Sequence, residues 1–114
     1  MLDIQTKRPH PKIVILEMTG RIVLGRDCKQ LEWMTETLVS DNEIKVIFDL
    51  SGVTHVDSTG IGIIMMCAGQ LKRAGGELRV AGAKAHVEEV LKLTNVDKVV
   101  ALHPDAASAA SNFA

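Results

Sequence analysis

The chain has no run of apolar residues near the roughly 20 needed to cross a bilayer, so membrane insertion is not expected. It has no excess of charge: 13 Lys and Arg stand against 14 Asp and Glu, a formal net charge of −1. Nucleic-acid binding needs a basic patch, so no nucleic-acid partner is expected. The only cysteines are Cys28 and Cys67, and they form no Cys-x-x-Cys motif. They read as buried thiols of a reducing cytosol rather than as a bridge. The start, Met1-Leu2-Asp3-Ile4-Gln5, has no basic segment followed by an apolar one, so no secretory signal is expected and a cytoplasmic location is. Internal repeats and linkers are also missing. One domain over residues 1–114 is expected, large enough to hold a core without disulfide or metal.

Constellations that carry chemistry are scarce. His10, His55, His86 and His103 are scattered, with no i,i+4 pair and no cysteine at ligand spacing, so no metal is expected. Gly60-x-Gly62 follows a strand, but the third glycine of a dinucleotide fingerprint would fall at Met65. No glycine-rich loop is present to cradle phosphates. His55, Asp57 and Ser58 name the members of a catalytic triad, yet neighbours in sequence cannot easily form that relay. No Gly-x-Ser-x-Gly elbow surrounds Ser58. An enzyme is therefore not expected, and neither is a cofactor.

What is present is organised around residues 46–62. Val46-Ile47-Phe48 opens a β-branched apolar run, Ser51-Gly52 is expected to break it, and Asp57-Ser58-Thr59-Gly60 precedes a long segment with helical spacing. Asp57, Ser58 and Thr59 thus sit where a loop becomes a helix, and capping of the free first-turn amides is the plain reading. Upstream, Leu2 to Lys7 alternates as a half-exposed strand, Pro9-His10-Pro11 marks a turn, and Lys12 to Met18 pairs back as a hairpin. Arg21 to Arg26 is a connection. A helix runs from about Asp27, a plausible cap, to Val39, with Cys28, Leu31, Met34, Thr35 and Leu38 inward. Trp33 falls on the opposite, polar side. There it is either an interface residue or half-buried over a neighbouring loop.

Asp41-Asn42-Glu43 is a turn. Ile44 to Leu50 is the central strand, and its nearly continuous apolar character implies cover on both faces. The helix after Ser58 runs to about Ala74, with Ile61, Ile64, Met65, Ala68 and Leu71 inward. Ile63 and Met66 are expected outside that stripe, as an apolar surface beside Ser58. Gly75-Gly76 stops the helix. A strand from Glu77 to Ala81, a helix from Lys84 to Thr94, a short strand from Lys98 to Leu102 and a terminal helix with Pro104 in its first turn complete the chain. The alternation predicts an α/β fold: a small mixed, mainly parallel β-sheet flanked by α-helices.

The string Asp49-Leu50-Ser51-Gly52-Val53-Thr54-His55-Val56-Asp57-Ser58-Thr59-Gly60-Ile61-Gly62 resembles, without a gap, the signature of the STAS family, the anti-sigma factor antagonists. Weaker similarity runs from about Val14 to Val100. The resemblance implies the same sheet, with its first strand antiparallel at one side. It implies that Ser58 is phosphorylated by an anti-sigma factor that is itself a serine kinase, and that a serine phosphatase resets it. The unmodified protein would dock on the kinase and free a sigma factor. Partner-binding residues would be Asp57, Ser58, Thr59, Gly60, Ile63 and Met66, with Leu24, Gly25 and Arg26 nearby. The alternative is a non-switching STAS module in a signalling assembly or a lipid-transport complex, with Ser58 only a cap. The family pattern also places an acid, thought to assist phosphorylation or partner contact, after the second strand. Here that position is Val23, and the nearest acid is Asp27.

Overall fold

The computed structural model describes residues 2–113. Its elements are β1 (Leu2–His10), β2 (Ile13–Ile22), α1 (Arg26–Ser40), β3 (Lys45–Val56), α2 (Ser58–Arg73), β4 (Glu77–Ala81), α3 (Ala85–Leu93), a 3-10 turn (Val96–Lys98), β5 (Ala101–His103) and α4 (Ala106–Ala110). The five strands form one sheet in the order β1-β2-β3-β4-β5. β1 is antiparallel to β2, and the remaining pairs are parallel. The small, mixed, mainly parallel sheet implied by the sequence is therefore present.

The parity of each strand decides what covers it. Val14, Leu16 and Met18 of β2, Val46, Phe48 and Leu50 of β3, and Leu78 and Val80 of β4 join one core cluster. The inward residues of α1, α2 and α3 complete it. The intervening residues Ile13, Ile15, Ile47 and Ala81 pack on the other face against Ala109 and Phe113. That two-sided burial explains why Val46-Ile47-Phe48 shows no polar alternation. α4 is only 5 residues long and is held from the sheet. The Arg79 guanidinium stacks 4.0 Å from the Phe113 ring centroid and donates to the carbonyls of Ala109 and Ser111 at 2.9 and 3.1 Å. A cation thus meets the free carbonyls at a helix C-terminus.

Several boundaries differ from the sequence reading. β3 does not stop at Ser51-Gly52 but continues to Val56. It stays paired with β2, and the register adjusts between Glu17 and Thr19 and between Gly20 and Arg21. Gly52 is needed inside the strand, since a Cβ there would sit 2.7 Å from Thr19 Oγ1 and 2.8 Å from the Met18 carbonyl. Pro9 and His10 lie within β1, where the ladder shifts between Lys7 and His10. An edge strand tolerates a proline there. Asp27 is not a cap: Gly25 holds that position, and Asp27 sits in the first turn of α1. Pro104 lies before α4, whose cap is Asp105, with Oδ1 accepting from the Ser108 amide at 2.7 Å. The residues around Lys98 form a turn rather than a strand, and β5 starts at Ala101.

The inward stripe of α2 is also rotated relative to the sequence reading. Gly60, Ile63, Ile64, Cys67, Ala68 and Leu71 are buried, whereas Ile61 and Met65 are half-buried. Phe48 has no exposed surface. Phe48→Ala should therefore cost about 3–5 kcal/mol of stability, read as a lower denaturant midpoint at unchanged slope.

Candidate functional site

The carboxyl ends of β2 and β3 lie side by side, with Ile22 registered to Val56. One residue later the chain turns into α2, and the Asp57 amide still donates to the Ile22 carbonyl at 3.2 Å. Asp57 has extended backbone and caps the helix, its Oδ1 accepting from the Gly60 amide at 2.8 Å. Its second oxygen, Oδ2, accepts from the Leu24 amide at 2.9 Å. One carboxylate therefore serves both the start of α2 and the connection between β2 and α1. The Leu24 amide first, and the Gly60 amide second, hold the Asp57 carboxyl below the usual carboxylate range.

The connection is braced elsewhere too. The Cys28 thiol donates to the Val23 carbonyl at 3.0 Å. Gly25 has φ +145°, a conformation L side chains rarely adopt. Gly60 is fixed by contact: a Cβ there would collide with the Ile22 carbonyl oxygen. Gly60 thus shapes the site from beneath, while Gly25 shapes the connection and stays exposed.

The Ser58 side chain is exposed at the first residue of α2. Its hydroxyl makes no hydrogen bond among the described residues, because Asp57 does the capping. Leu24, bonded through its amide to Asp57, is 75% exposed, and Met66, about 12 Å further along α2, is 43% exposed. Gly25 and Arg26 are exposed as well, while Thr59 and Asp57 are half-buried. Gly60 and Ile63 are buried. Ile63 was expected as docking surface, but it packs inward because the α2 stripe begins at Gly60 and passes through Cys67. Gly60 holds its place by its contact with Ile22, and a glycine adds nothing to an apolar stripe.

His55 does not address Ser58. The Thr54 hydroxyl donates to the Gly20 carbonyl at 3.2 Å, so it accepts from His55 Nδ1 at 2.9 Å. With Asp57 taken up by amides, no Ser-His-Asp relay forms. Asp27, the nearest acid in sequence, is turned away: its Oδ2 accepts from the Leu2 amide at 3.1 Å. Cys28 and Cys67 are buried and free. Burial pushes the Cys67 thiol up to about 11 and raises Cys28 as well, so both stay protonated. Among the described residues no group of His, Cys, Asp and Glu side chains is placed to hold a metal. No described helix is long and apolar enough to cross a membrane.

Asp57→Asn would turn an NH2 group toward one of its two amides. The melting temperature should fall, and amide exchange at Leu24 should accelerate. Because the folded carboxyl titrates low, its contribution is complete above the unfolded value of about 3.9. It is lost as pH falls through the folded value. The gap in stability between wild type and Asp57→Asn should therefore close in acid below pH about 4.

A family model described as STAS domain matches residues 5–109. A provisionally named anti-sigma factor antagonist, BtrV of Bordetella bronchiseptica, is 31% identical over 91 residues, covering 78% of each chain. Among solved structures, a provisionally named anti-sigma factor antagonist of Thermotoga maritima has a TM-score of 0.87 at 23% identity, covering 96% of this chain and 93% of its own. The anti-sigma factor antagonist SpoIIAA, in its unphosphorylated form, has a TM-score of 0.72 at 14% identity, covering 91% of this chain and 89% of its own.

Proposed function

The chain belongs to the STAS domain family, and from that membership we propose that it is a cytoplasmic anti-sigma factor antagonist switched by phosphorylation of Ser58. The unmodified protein docks on a serine-kinase anti-sigma factor and frees the sigma factor. The kinase then transfers the γ-phosphoryl group of ATP to Ser58 Oγ, and ADP leaves. The hydroxyl proton passes to a base of the kinase, which also supplies the Mg²⁺ site. The modified protein leaves, and a serine phosphatase resets it. SpoIIAA, which shares the fold, exists in unphosphorylated and phosphorylated forms.

One observation carries the reading. The hydroxyl of Ser58 is exposed and unengaged among the described residues, because the neighbouring Asp57 already caps α2. A residue retained only for capping would be bonded to the first turn. Leu24, Gly25, Arg26, Thr59 and Met66 supply the surrounding contact surface, and Asp57, Gly60 and Ile63 support it from beneath.

A phosphoserine adds about −1.5 to −2 charge. The start of α2 tolerates it, since the helix dipole and the first-turn amides favour an anion there. The interface does not. An unpaired charge buried in that interface costs several kcal/mol. At about 1.4 kcal/mol per tenfold, affinity falls by two or more orders of magnitude. Fold and partner are thereby uncoupled: the modification leaves the one intact and removes the other.

Calorimetry against the cognate anti-sigma factor tests this directly. Ser58→Ala should bind like the unmodified protein and stay bound in ATP, while Ser58→Asp should bind about a hundredfold more weakly. Equal binding by both variants removes the switch. Incubation with kinase and ATP, followed by mass measurement of the Ser58 peptide, separates it from a non-switching STAS module.

A further inference from the structure

β1 is the outer strand of the sheet, and among the described residues it pairs with β2 alone. A 9-residue strand with one free edge is a template for another strand. Which groups face that edge follows from the strand itself. The Leu2 amide turns toward Asp27 rather than β2. Amides of an antiparallel strand alternate in direction, so the N–H and C=O groups of Ile4, Thr6 and Arg8 face the free edge. Those of Asp3, Gln5 and Lys7 face β2. Beside the edge, on the face covered by α1, lies a groove lined by Thr6, Arg8, Leu16, Trp33, Met34 and Leu38. Trp33 is 64% exposed there, and tryptophan is enriched among the residues that dominate interface energies.

We propose that two copies of this chain pair through β1, antiparallel about a two-fold axis perpendicular to the sheet, with Trp33 of each copy closing over the joint. The register follows from geometry and charge. Such an axis keeps each face of the sheet on its own side, so residues stand opposite only partners of the same parity. With the axis at Gln5, Asp3 stands opposite Lys7 of the second copy, and Lys7 opposite Asp3. Opposite charges across a strand pair are stabilising. An axis at Ile4 or at Thr6 sets Asp3 opposite Gln5 or Pro9 instead, and both charge pairs are lost.

The Gln5 register also places Ile4 opposite Thr6 of the second copy, at the mouth of that copy's Trp33 groove. These two residues exchange both of their backbone hydrogen bonds. Lys7 already lies 3.0 Å from Glu17, but an ammonium has three donors and can serve both acids. Pro9 does not interfere. Its parity directs it toward β2, where the ladder is already interrupted. The charge pattern of β1 is self-complementary, and that selects a second copy over an unrelated partner. Ser58 begins the helix that follows β3, two strands in from the joint, and it stays open in the pair.

Sedimentation and light scattering from about 1 to about 300 μM, the range of weak self-association, decide the matter. The mass should rise toward that of two chains, and Trp33 emission should shift to the blue. Lys7→Glu, which sets acid against acid in both charge pairs, should weaken association about tenfold or more. Adding Asp3→Lys should restore it. Thr6→Pro removes an outward-facing amide and should give a monomer whose melting curve is close to that of wild type. A monomer at every concentration overturns the proposal, as does a pair indifferent to Lys7→Glu. Unfolding of Thr6→Pro would place that amide in the β2 ladder and overturn it equally.

Discussion

The structure around Ser58 depends on one carboxylate with two obligations. Asp57 Oδ1 binds the Gly60 amide and Oδ2 the Leu24 amide, the first donor 3 residues from Asp57 in sequence and the second 33. Without a charged acceptor, α2 would start with an open first turn, and the Val23–Gly25 connection would lose its anchor to the sheet end. An ionised carboxylate suits the task because charge-assisted hydrogen bonds are shorter and stronger than neutral ones. Asp57 therefore gives the site its shape, and Ser58 beside it is left chemically unoccupied.

Close packing adds a second constraint on the same geometry. Gly60 rests against the Ile22 carbonyl with no room for a Cβ, so the first turn of α2 is seated directly on the end of β2. Cys28 fixes Val23 from the other side. A phosphate arriving on Ser58 would thus meet a scaffold that has no easy way to yield, and its effect would be confined to surface charge. A rigid face that changes only its charge is a suitable substrate for regulation by partner exclusion.

Much of this is legible in the sequence. The alternation of β-rich and helical segments gave the layer order, and the unbroken apolar run at Val46-Ile47-Phe48 gave the two-sided sheet. The Asp57-Ser58-Thr59-Gly60 string located the start of α2. Three things stayed hidden because each depends on a long-range contact. The bond from Leu24 to Asp57 cannot be read from spacing. The true phase of α2 is set by Gly60 meeting Ile22, and a glycine contributes nothing to an apolar stripe. Ser51-Gly52 looks like a break in isolation, but β2 is long enough to keep β3 paired through it. Asp27 misled for a related reason: its side chain satisfies Leu2, the start of a strand far away in sequence, rather than its own helix.

That placement of Asp27 bears on the chemistry. Where the family pattern has an acid, this chain has Val23, whose carbonyl is occupied by Cys28. The nearest acid in sequence is turned toward β1, and the carboxylate adjacent to Ser58 is saturated by amides and held below the usual range. A carboxylate whose ionised form is favoured in this way is a poorer proton acceptor, since its affinity for a proton is what the two amides have reduced. Neither of these two carboxylates is therefore placed to serve Ser58 as a base. Were Ser58 phosphorylated as proposed, the base for that transfer would come from the partner.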